Sequence, residues 1–507
     1  MAGIKSLIKE TAVYGLSSII GRFLNWCLVP LYVYIFPTEE YGIVSYLYSF
    51  TAVILVILNY GMETGFFRFA NKSDDPETVY TTSLLSVGST SILFIILSSF
   101  FITPISHALK LTDHSLFVWL LAIIVAIDAF TNLPFAYLRF QKKAYRFASI
   151  KMLNVALNIS LNLFFLLLCP YLSRNYPFLI NWFYDTLGGE EFGIGWIFIS
   201  NLISTIVIFL MLLPELSGRK YRFNLNLWKQ MLSYSWPLLI LGVAGIMSQN
   251  MGQMIIPFLF EDQTAAQSMV GIYGANIKIA IVMVMFTQAF RYAYEPFIFA
   301  QAKSKGEEQT KAYSDAMKFF IIFGLLIFLG VMFFLPILKY FISESYWPGL
   351  KIVPIMMLAD LFFGIFFNLS LWYKLTDKTQ WGMYFSLFGF AMMLSLNIWL
   401  VPAIGLPNGY VGSAWAAFIS YFAMMLLSYF IGRKYYPISY DLKHIAGYTC
   451  LAGVLYIVGS KVCYFHNIMW LTYTTRTLLI IVYLCFISYY EHIPILSNIV
   501  KKIISKR

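Results

Sequence analysis

The stretch GLSSIIGRFLNWCLVPLYVYIF (residues 15–36) is long and apolar enough to cross a membrane as a helix, yet it carries an arginine at position 22. About 20 apolar residues in a helix span the roughly 30 Å hydrocarbon core of a bilayer. A charged side chain inside that core costs about 2.5–3.5 kcal/mol on insertion scales and usually faces a cavity or a partner. Arg22 is therefore the first candidate functional residue.

The composition of the whole chain is typical of a membrane protein. Of its 507 residues, 60% are hydrophobic and only 12% are Asp, Glu, Lys or Arg, whereas about 25% of a soluble protein is charged. Apolar runs of membrane-spanning length recur from end to end, and we count about fourteen. The first run lacks a small-residue cleavage site, so we expect a retained span and not a signal peptide. We predict an all-α, multi-pass membrane protein.

Basic residues indicate the orientation. Most Lys and Arg fall in the loops that are cytoplasmic if the N-terminus is inside, as the positive-inside rule requires. An even number of spans then places both termini in the cytoplasm. The net charge of +11 is a topology signal, and the scattered basic residues predict no nucleic-acid partner.

An internal repeat divides the chain, with matches roughly 230 residues apart. EYGIVSY (40–46) aligns with MVGIYGA (269–275), which pairs Gly42 with Gly271 at the starts of spans 2 and 8. SLNLFF (160–165) aligns with SLNIWL (395–400). Because each unit of six spans begins inside, the two lobes should be related by an axis along the membrane normal.

Three regions follow from this repeat. Residues 1–217 form the predicted N-lobe, and residues 218–435 form an amphipathic linker followed by the C-lobe. Residues 436–507 hold spans 13 and 14, a C-terminal helix pair, and a basic cytoplasmic tail. Two such lobes are suited to alternating access around a site near the middle of the membrane.

Polar residues within the spans are the candidate binding site. Ser18, Arg22 and Asn25 share one face of span 1. Span 7 contributes Gln249, Asn250 and Gln253, and span 8 contributes Lys278. Arg22 could bind an anion in a cavity or pair with an acidic residue for structure alone, and the amides could equally hydrogen-bond neighbouring helices.

Two segments at equivalent cytoplasmic helix ends each carry an acid and a base. GMETGFFRF (61–69) contains Glu63 and Arg68, and AFRYAYEPF (289–297) contains Arg291 and Glu295. We interpret them as ion pairs of an inner gate or of lobe packing, with charges near the lipid headgroups as the alternative.

Asp128 in span 4 and Asp360 in span 10 are acids in mid-membrane. They could neutralise a buried cation such as Arg22, or couple transport to H⁺ or Na⁺. The chain has no phosphate-binding GxxxxGK[ST] loop, no HExxH and no CxxC, so the motifs predict no nucleotide hydrolysis, no metal site and no cofactor. We expect a protein that is not an enzyme.

The chain resembles a known family over nearly its whole length. The resemblance lies in YGLSSIIGRFLNWCLVPLYVYIFPTEEYGIVSY (14–46), GMETGFFRFAN (61–71) and NIWLVPAIGLPNGYVGSAWAAFISY (397–421). These segments resemble the O-antigen type polysaccharide-biosynthesis flippases of the multidrug, oligosaccharidyl-lipid and polysaccharide exporter superfamily.

That resemblance implies a flippase in a bacterial inner membrane. Its substrate would be a polyprenyl-pyrophosphate-linked oligosaccharide for O-antigen, capsule or exopolysaccharide synthesis, moved from the cytoplasmic to the outer leaflet. The pyrophosphate would lie in a cationic cavity, for which Arg22 matches the arginine of the family and Lys278 and Arg291 are further candidates. Membrane lipids and polysaccharide polymerase machinery would be its partners, and we expect a monomer.

Two other functions compete with this one. A cation-coupled drug or metabolite antiporter of the same fold would favour an acidic cavity. A membrane glycan ligase or polymerase would require an essential acid or arginine on an outer loop.

Overall fold

The computed structural model describes residues 20–301, 307–376, 378, 380–462 and 469–491. Helices dominate this part of the chain, and it contains no strand. A bilayer offers backbone groups no hydrogen-bond partner, and helices satisfy those groups within a single segment. The predicted all-α class is confirmed.

Fifteen principal helices are labelled here in chain order. They are α1 (Ile20–Ile35), α2 (Thr38–Asn59), α3 (Met62–Ala70), α4 (Pro76–Phe100), α5 (Ser115–Phe140), α6 (Ala144–Leu163), α7 (Gly195–Met211), α8 (Leu225–Leu259), α9 (Gln263–Gln301), α10 (Glu307–Leu338), α11 (Val353–Leu369), α12 (Gln380–Ile404), α13 (Tyr410–Tyr435), α14 (Leu442–Ile457) and α15 (Met469–Tyr490). Shorter helices are Ile102–Ala108, Cys169–Asn175, Pro177–Tyr184, Leu213–Leu216 and Leu371–Leu375.

Twelve helical stretches in the described residues are long and apolar enough to cross a membrane. The shorter apolar helices α1 and α7 coincide with the predicted spans 1 and 6. The multi-pass character is therefore established, and the count of about fourteen spans stays a prediction.

The predicted second span is broken at Gly61. Gly61 has φ 72°, in the left-handed region that favours glycine. A Cβ atom there would lie 3.2 Å from both the Cβ atom and the carbonyl oxygen of Ser235 in α8. The 22-residue α2 therefore ends at Asn59, and α3 starts in a new direction.

Two compact units are present. The first comprises the described part of Met1–Ala275 together with Met383–Ala416, and the second comprises the described parts of Asn276–Gly382 and Ala417–Arg507. In the first unit α8 packs along α2, α3 and α4. This contact boundary differs from the predicted lobe boundary after residue 217, because α8 buries side chains such as Met231 among those of α3 and α4.

The predicted linker is only partly a linker. Residues up to Asn224 are extended, and the Asn224 side chain accepts hydrogen bonds from the amides of Asn226 and Leu227. Such a cap satisfies donors at the start of a helix. The sequence from Leu225 onward is therefore the first part of the 35-residue α8.

Gly42 of α2 and Gly271 of α9 form a reciprocal backbone contact. A Cβ atom on Gly42 would overlap the carbonyl oxygen of Gln267, and one on Gly271 would overlap the carbonyl oxygen of Thr38. One turn away, the Thr38 and Ser268 hydroxyls are 2.7 Å apart. The repeat matches Gly42 with Gly271, and the two matched glycines pack on each other.

A ladder of side-chain hydrogen bonds joins α1 to α6, which run parallel. Asn158 donates to Oδ1 of Asn25 at 3.4 Å. Asn162 donates to Oδ1 of Asn158 at 3.1 Å, and Tyr32 donates to Oδ1 of Asn162 at 3.0 Å. At the start of this ladder, Gly21 lies against Val155, since a Cβ atom there would be 3.3 Å from its Cγ2. Polar side chains thus hold α1 in place, as amides do between membrane helices.

In the second unit a buried arginine fixes the C-terminal helix pair. Arg476 of α15 is 5% exposed and donates to the carbonyl oxygens of Gly459 at 3.0 Å and Phe333 at 2.8 Å. Gly459 lies in the π-helical turn Val458–Val462 after α14, where widened hydrogen bonding frees backbone oxygens. The charge inside predicted span 14 therefore binds backbone carbonyls.

The glycine contact yields the first prediction. Gly42→Ala and Gly271→Ala should each lower the free energy of unfolding by about 1–3 kcal/mol or prevent folding, because the backbones must separate. Thermal unfolding of purified protein in detergent measures the effect.

The matched control is Gly245→Ala in α8, where a Cβ atom would meet nothing within 4 Å. It should be neutral or stabilising, since alanine is the better helix former. Equal melting temperatures for all three variants would contradict the proposed close approach.

The amide ladder yields the second prediction. Tyr32→Phe removes one hydrogen bond and should cost about 0.6 kcal/mol, the average for such bonds in membrane proteins. Asn162→Ala should cost more, about 1–3 kcal/mol, because it leaves the Tyr32 hydroxyl and the Asn158 amide oxygen without their partner. Reversible unfolding in mixed micelles gives both values.

Asn71→Ala serves as the control for the ladder. Asn71 is exposed and donates only to the Phe67 carbonyl oxygen in its own helix, so its loss should stay within about 0.5 kcal/mol. A ladder variant no more damaging than Asn71→Ala would show that α1 is held by other contacts.

Candidate functional site

The candidate site begins on α1, where Arg22 and Asn25 lie one turn apart. Both side chains are exposed on the protein surface. Asn25 is hydrogen-bonded to Asn158 of α6, which places Arg22 next to the amide ladder. At 1.5 Å per residue, Arg22 lies about 20 Å along the helix from Ile35, less than the roughly 30 Å thickness of a hydrocarbon core. Ser18, the third member of the predicted stripe, lies outside the described residues.

Lys151 is a second cation of the first unit, on the same helix as Asn158. It belongs to α6, where Lys151, Val155, Asn158 and Asn162 recur at helical spacing and so share one face. Val155 and Asn158 contact α1, so this face is turned toward α1. The Lys151 ammonium lies 4.0 Å from the centre of the Phe135 ring.

Sequence reasoning missed Lys151 because it follows a basic loop and was counted as a loop cation. The signal that could have identified it is the i, i+7 and i+11 spacing of Lys151 to two asparagines in an apolar helix. The same spacing would have singled out Asn158 and Asn162 as members of the site.

Asp128 of α5 has partners within its own unit. The Thr205 hydroxyl donates to its Oδ1 at 3.4 Å, and Lys151 is near enough for the two charges to interact. Asp128 therefore has a hydrogen-bond donor on α7 and a nearby cation on α6.

The predicted pairing of Glu63 with Arg68 is wrong. Glu63 forms its ion pair with Arg139 at the end of α5. Arg68 instead lies over the Tyr234 ring of α8, 4.1 Å from its centre, in a cation–π contact. Glu63 and Arg68 do not pair with each other because residues five apart in a helix lie on different faces of α3. A role of these charges in an inner gate stays a prediction.

The three candidate amide side chains of α8 differ in burial and in hydrogen bonding. Asn250 donates to the Ile246 carbonyl oxygen of its own helix at 2.9 Å. Gln253 is 7% exposed and is buried where α8 meets Gly274 of α9. Gln249 is exposed. Of the three, Gln249 is the one whose side chain is open to a ligand.

The remaining candidates belong to the second unit. Lys278 of α9 is partly buried. Arg291 is exposed, and its guanidinium lies 4.8 Å from the centre of the Phe367 ring. The side chain of Glu295 lies outside the described residues, so its pairing with Arg291 stays a prediction.

Asp360 in the middle of α11 differs from Asp128. It is partly exposed, and within the described residues its carboxylate makes neither a hydrogen bond nor an ion pair. Gly364, one turn later, lies against the Thr287 side chain of α9. Asp360 is thus an acid inside a predicted span whose charge the described chain leaves unbalanced.

The described residues contain no group of three or more His, Cys, Asp or Glu side chains that could hold a metal ion.

Comparison with known proteins places the fold. The lipid II flippase MurJ in an inward closed conformation matches with a TM-score of 0.65 and 16% identity, over 96% of this chain and 99% of that one. An inward-facing multidrug resistance MATE family transporter of the MOP superfamily matches with a TM-score of 0.64 and 14% identity, over 83% and 96%.

A third similar structure is a MOP superfamily transporter from Pyrococcus furiosus, described as having a binding pocket of reverse polarity. Its TM-score is 0.55 and its identity 15%, over 84% of this chain and 95% of that one. No curated protein sequence matches significantly. At these identities the likeness establishes a shared fold.

The sequence profile described as polysaccharide biosynthesis protein matches residues 7–299, more than half of the chain. The protein is a multi-pass membrane member of the polysaccharide biosynthesis protein family, with a fold like that of MurJ and the MATE transporters.

Proposed function

We propose that the protein is a flippase that moves a polyprenyl-pyrophosphate-linked oligosaccharide across a bacterial inner membrane by alternating access. The observation that carries the proposal is the exposed pair Arg22 and Asn25 beside the amide ladder of α6. The family and the MurJ-like fold support it.

The substrate has three parts with different needs. The polyprenyl tail is soluble in the bilayer, whereas the pyrophosphate and the sugars need a polar path. Arg22 stays protonated in such a path and can donate two parallel hydrogen bonds to phosphate oxygens. Asn25 and Gln249 offer amide groups to sugar hydroxyls, which both donate and accept.

Arg139 and Lys151 of the first unit are half-buried. Arg22 is exposed on α1, so we assign it the primary contact and Lys151 a supporting electrostatic role. Lys278 and Arg291 belong to the second unit, and their role as further phosphate contacts stays a prediction from the family resemblance.

Transport needs an energy source, and we propose coupling to a cation gradient through Asp360. A carboxylate without a protein partner can take up and release H⁺ or Na⁺ as the cavity changes its access. Asp128 is less suited to this role because it accepts a hydrogen bond from Thr205 and interacts electrostatically with Lys151.

The third prediction concerns Arg22. In liposomes with a labelled polyprenyl-pyrophosphate-linked oligosaccharide, Arg22→Ala should reduce transbilayer movement at least about tenfold, equivalent to a charge-assisted hydrogen bond of about 1.5–3 kcal/mol. Arg22→Lys keeps the positive charge but loses the planar guanidinium group. Its transport rate should therefore lie between those of the wild type and Arg22→Ala.

Lys72→Ala is the control, because it removes an exposed cation outside the predicted spans. Folding of each variant is checked by thermal unfolding before assay. Transport by folded Arg22→Ala at the wild-type rate would exclude Arg22 as the phosphate contact.

The fourth prediction concerns Asp360. Wild-type transport should accelerate under an imposed H⁺ or Na⁺ gradient, and Asp360→Asn should abolish that acceleration because the amide cannot bind the ion. Asp128→Asn should lower stability yet keep the response. Acceleration retained in Asp360→Asn, or no response of the wild type to either gradient, would refute the coupling.

A further inference from the structure

One cavity of the first unit lies apart from the Arg22 stripe. It has a volume of about 490 Å³, within the roughly 300–1,000 Å³ usual for small-molecule sites. Its wall combines the start of α2, the connection before α5, the connection before α7 and the first turns of α9. Alternate crossing places all four on one side of the membrane, which the charge pattern predicts to be the outer side.

The lining is acidic and lacks an available cation. Glu39, Glu40, Asp113 and Glu191 line the cavity. Lys110 also lines it, but its ammonium donates to the carbonyl oxygens of Pro257 at 3.0 Å and Phe260 at 3.1 Å, at the end of α8. An anionic ligand would therefore be repelled from this cavity.

Two glutamine side chains lining the cavity have polar atoms without a partner. Gln267 is 7% exposed, and its side-chain amide makes no hydrogen bond within the described residues. The Oε1 atom of Gln263, one turn earlier, is buried without a hydrogen-bond partner there. Buried polar groups in native proteins are almost always hydrogen-bonded, so the largely buried Gln267 amide, which lines the cavity, is suited to bind a polar ligand there.

An adjoining cavity of about 410 Å³ extends the site. Glu40, Glu191 and Gly193 line both cavities. In the second one Arg174 is held by Glu190 through two hydrogen bonds, 3.0 and 2.9 Å long, so its charge is also balanced. We call the two cavities together the outer groove.

Aromatic rings complete the groove. In the first cavity the His114 ring lies nearly parallel to the Phe117 ring, with centres 5.4 Å apart. In the second cavity the Trp196 ring stacks between Phe165 at 4.5 Å and Tyr184 at 5.2 Å, and all three rings are buried, so they form a packed wall. Carboxylates that accept hydroxyl hydrogen bonds and amides that both donate and accept are groups that recognise a sugar.

We infer that the outer groove is a binding site for an uncharged saccharide, separate from the proposed pyrophosphate contact at Arg22. A sugar hydroxyl can accept from Nε2 of Gln267 and donate to the carboxylate of Glu191, which lines both cavities. An organic cation can donate to the carboxylates but has no acceptor for the Gln267 amide. The two cavities accommodate adjacent sugars of one chain.

The test uses free saccharides, so it does not depend on transport or on a pyrophosphate. Full-length protein in nanodiscs is examined by saturation-transfer difference NMR with maltotriose, an N-acetylglucosamine trimer, a galacturonic acid trimer and spermidine. We expect binding of at least one neutral trimer and none of the uronic acid trimer or of spermidine.

Variants locate the binding. Gln267→Leu and Glu191→Gln should each weaken the neutral saccharide about tenfold, the effect of one lost hydrogen bond. Glu191 lies in an exposed connection, so Glu191→Gln decides the matter if Gln267→Leu fails to fold. The control is Glu261→Gln, which alters an exposed acid just before α9 that does not line the groove.

Three outcomes overturn the inference. They are binding of spermidine without any neutral saccharide, binding of the uronic acid trimer as strongly as the neutral ones, and neutral binding that Glu191→Gln leaves unchanged. If the Arg22 variants do not alter transport, the proposal for Arg22 fails but the inference about the outer groove does not, because the saccharide test measures binding and not transport.

Discussion

The contact of Gly42 with Gly271 is the constraint on which the first unit depends. It brings the backbones of α2 and α9 together within three turns of the start of each helix. The connection before α9 is thereby held near the start of α2, where Lys110 and Gln263 bind the carbonyl oxygens at the end of α8. The outer groove exists because the connections before α5, α7 and α9 meet around this close crossing of α2 and α9.

Polar residues in the described chain fall into two groups according to what they bind. Arg476 binds backbone carbonyls, and the ammonium of Lys318 lies 2.7 Å from Glu491, which also accepts from Tyr448. These groups satisfy each other inside the second unit. Arg22, Gln249 and Asp360 instead keep surface exposed within apolar helices. Exposure inside a predicted span, more than charge alone, distinguishes a candidate pathway from a structural contact.

Sequence alone predicted the helical class and the approximate positions of the apolar helices, because hydrophobic length determines spans almost independently of packing. The repeat matched Gly42 with Gly271 as equivalent positions, but it did not predict that the two glycines pack on each other. The partner of Glu63 could not be predicted this way, because Arg139 is distant in sequence and reaches it only through helix packing. The partners of Asn158 and Asn162 could not be predicted for the same reason, since their bonds depend on which helix lies beside α6. The outer groove had no signal in any single segment, because four separate connections build it.

The break at Gly61 changes where the charges of α3 lie relative to lipid. The 22 residues of α2 already extend about 33 Å, enough to cross the hydrocarbon core without α3. If α2 alone crosses the core, Glu63, Arg68 and Arg139 lie at the level of the lipid phosphates. Lipid phosphates can compete there with Glu63 for the arginines. The ion pairing of these arginines then depends on the proportion of anionic lipid in the surrounding leaflet.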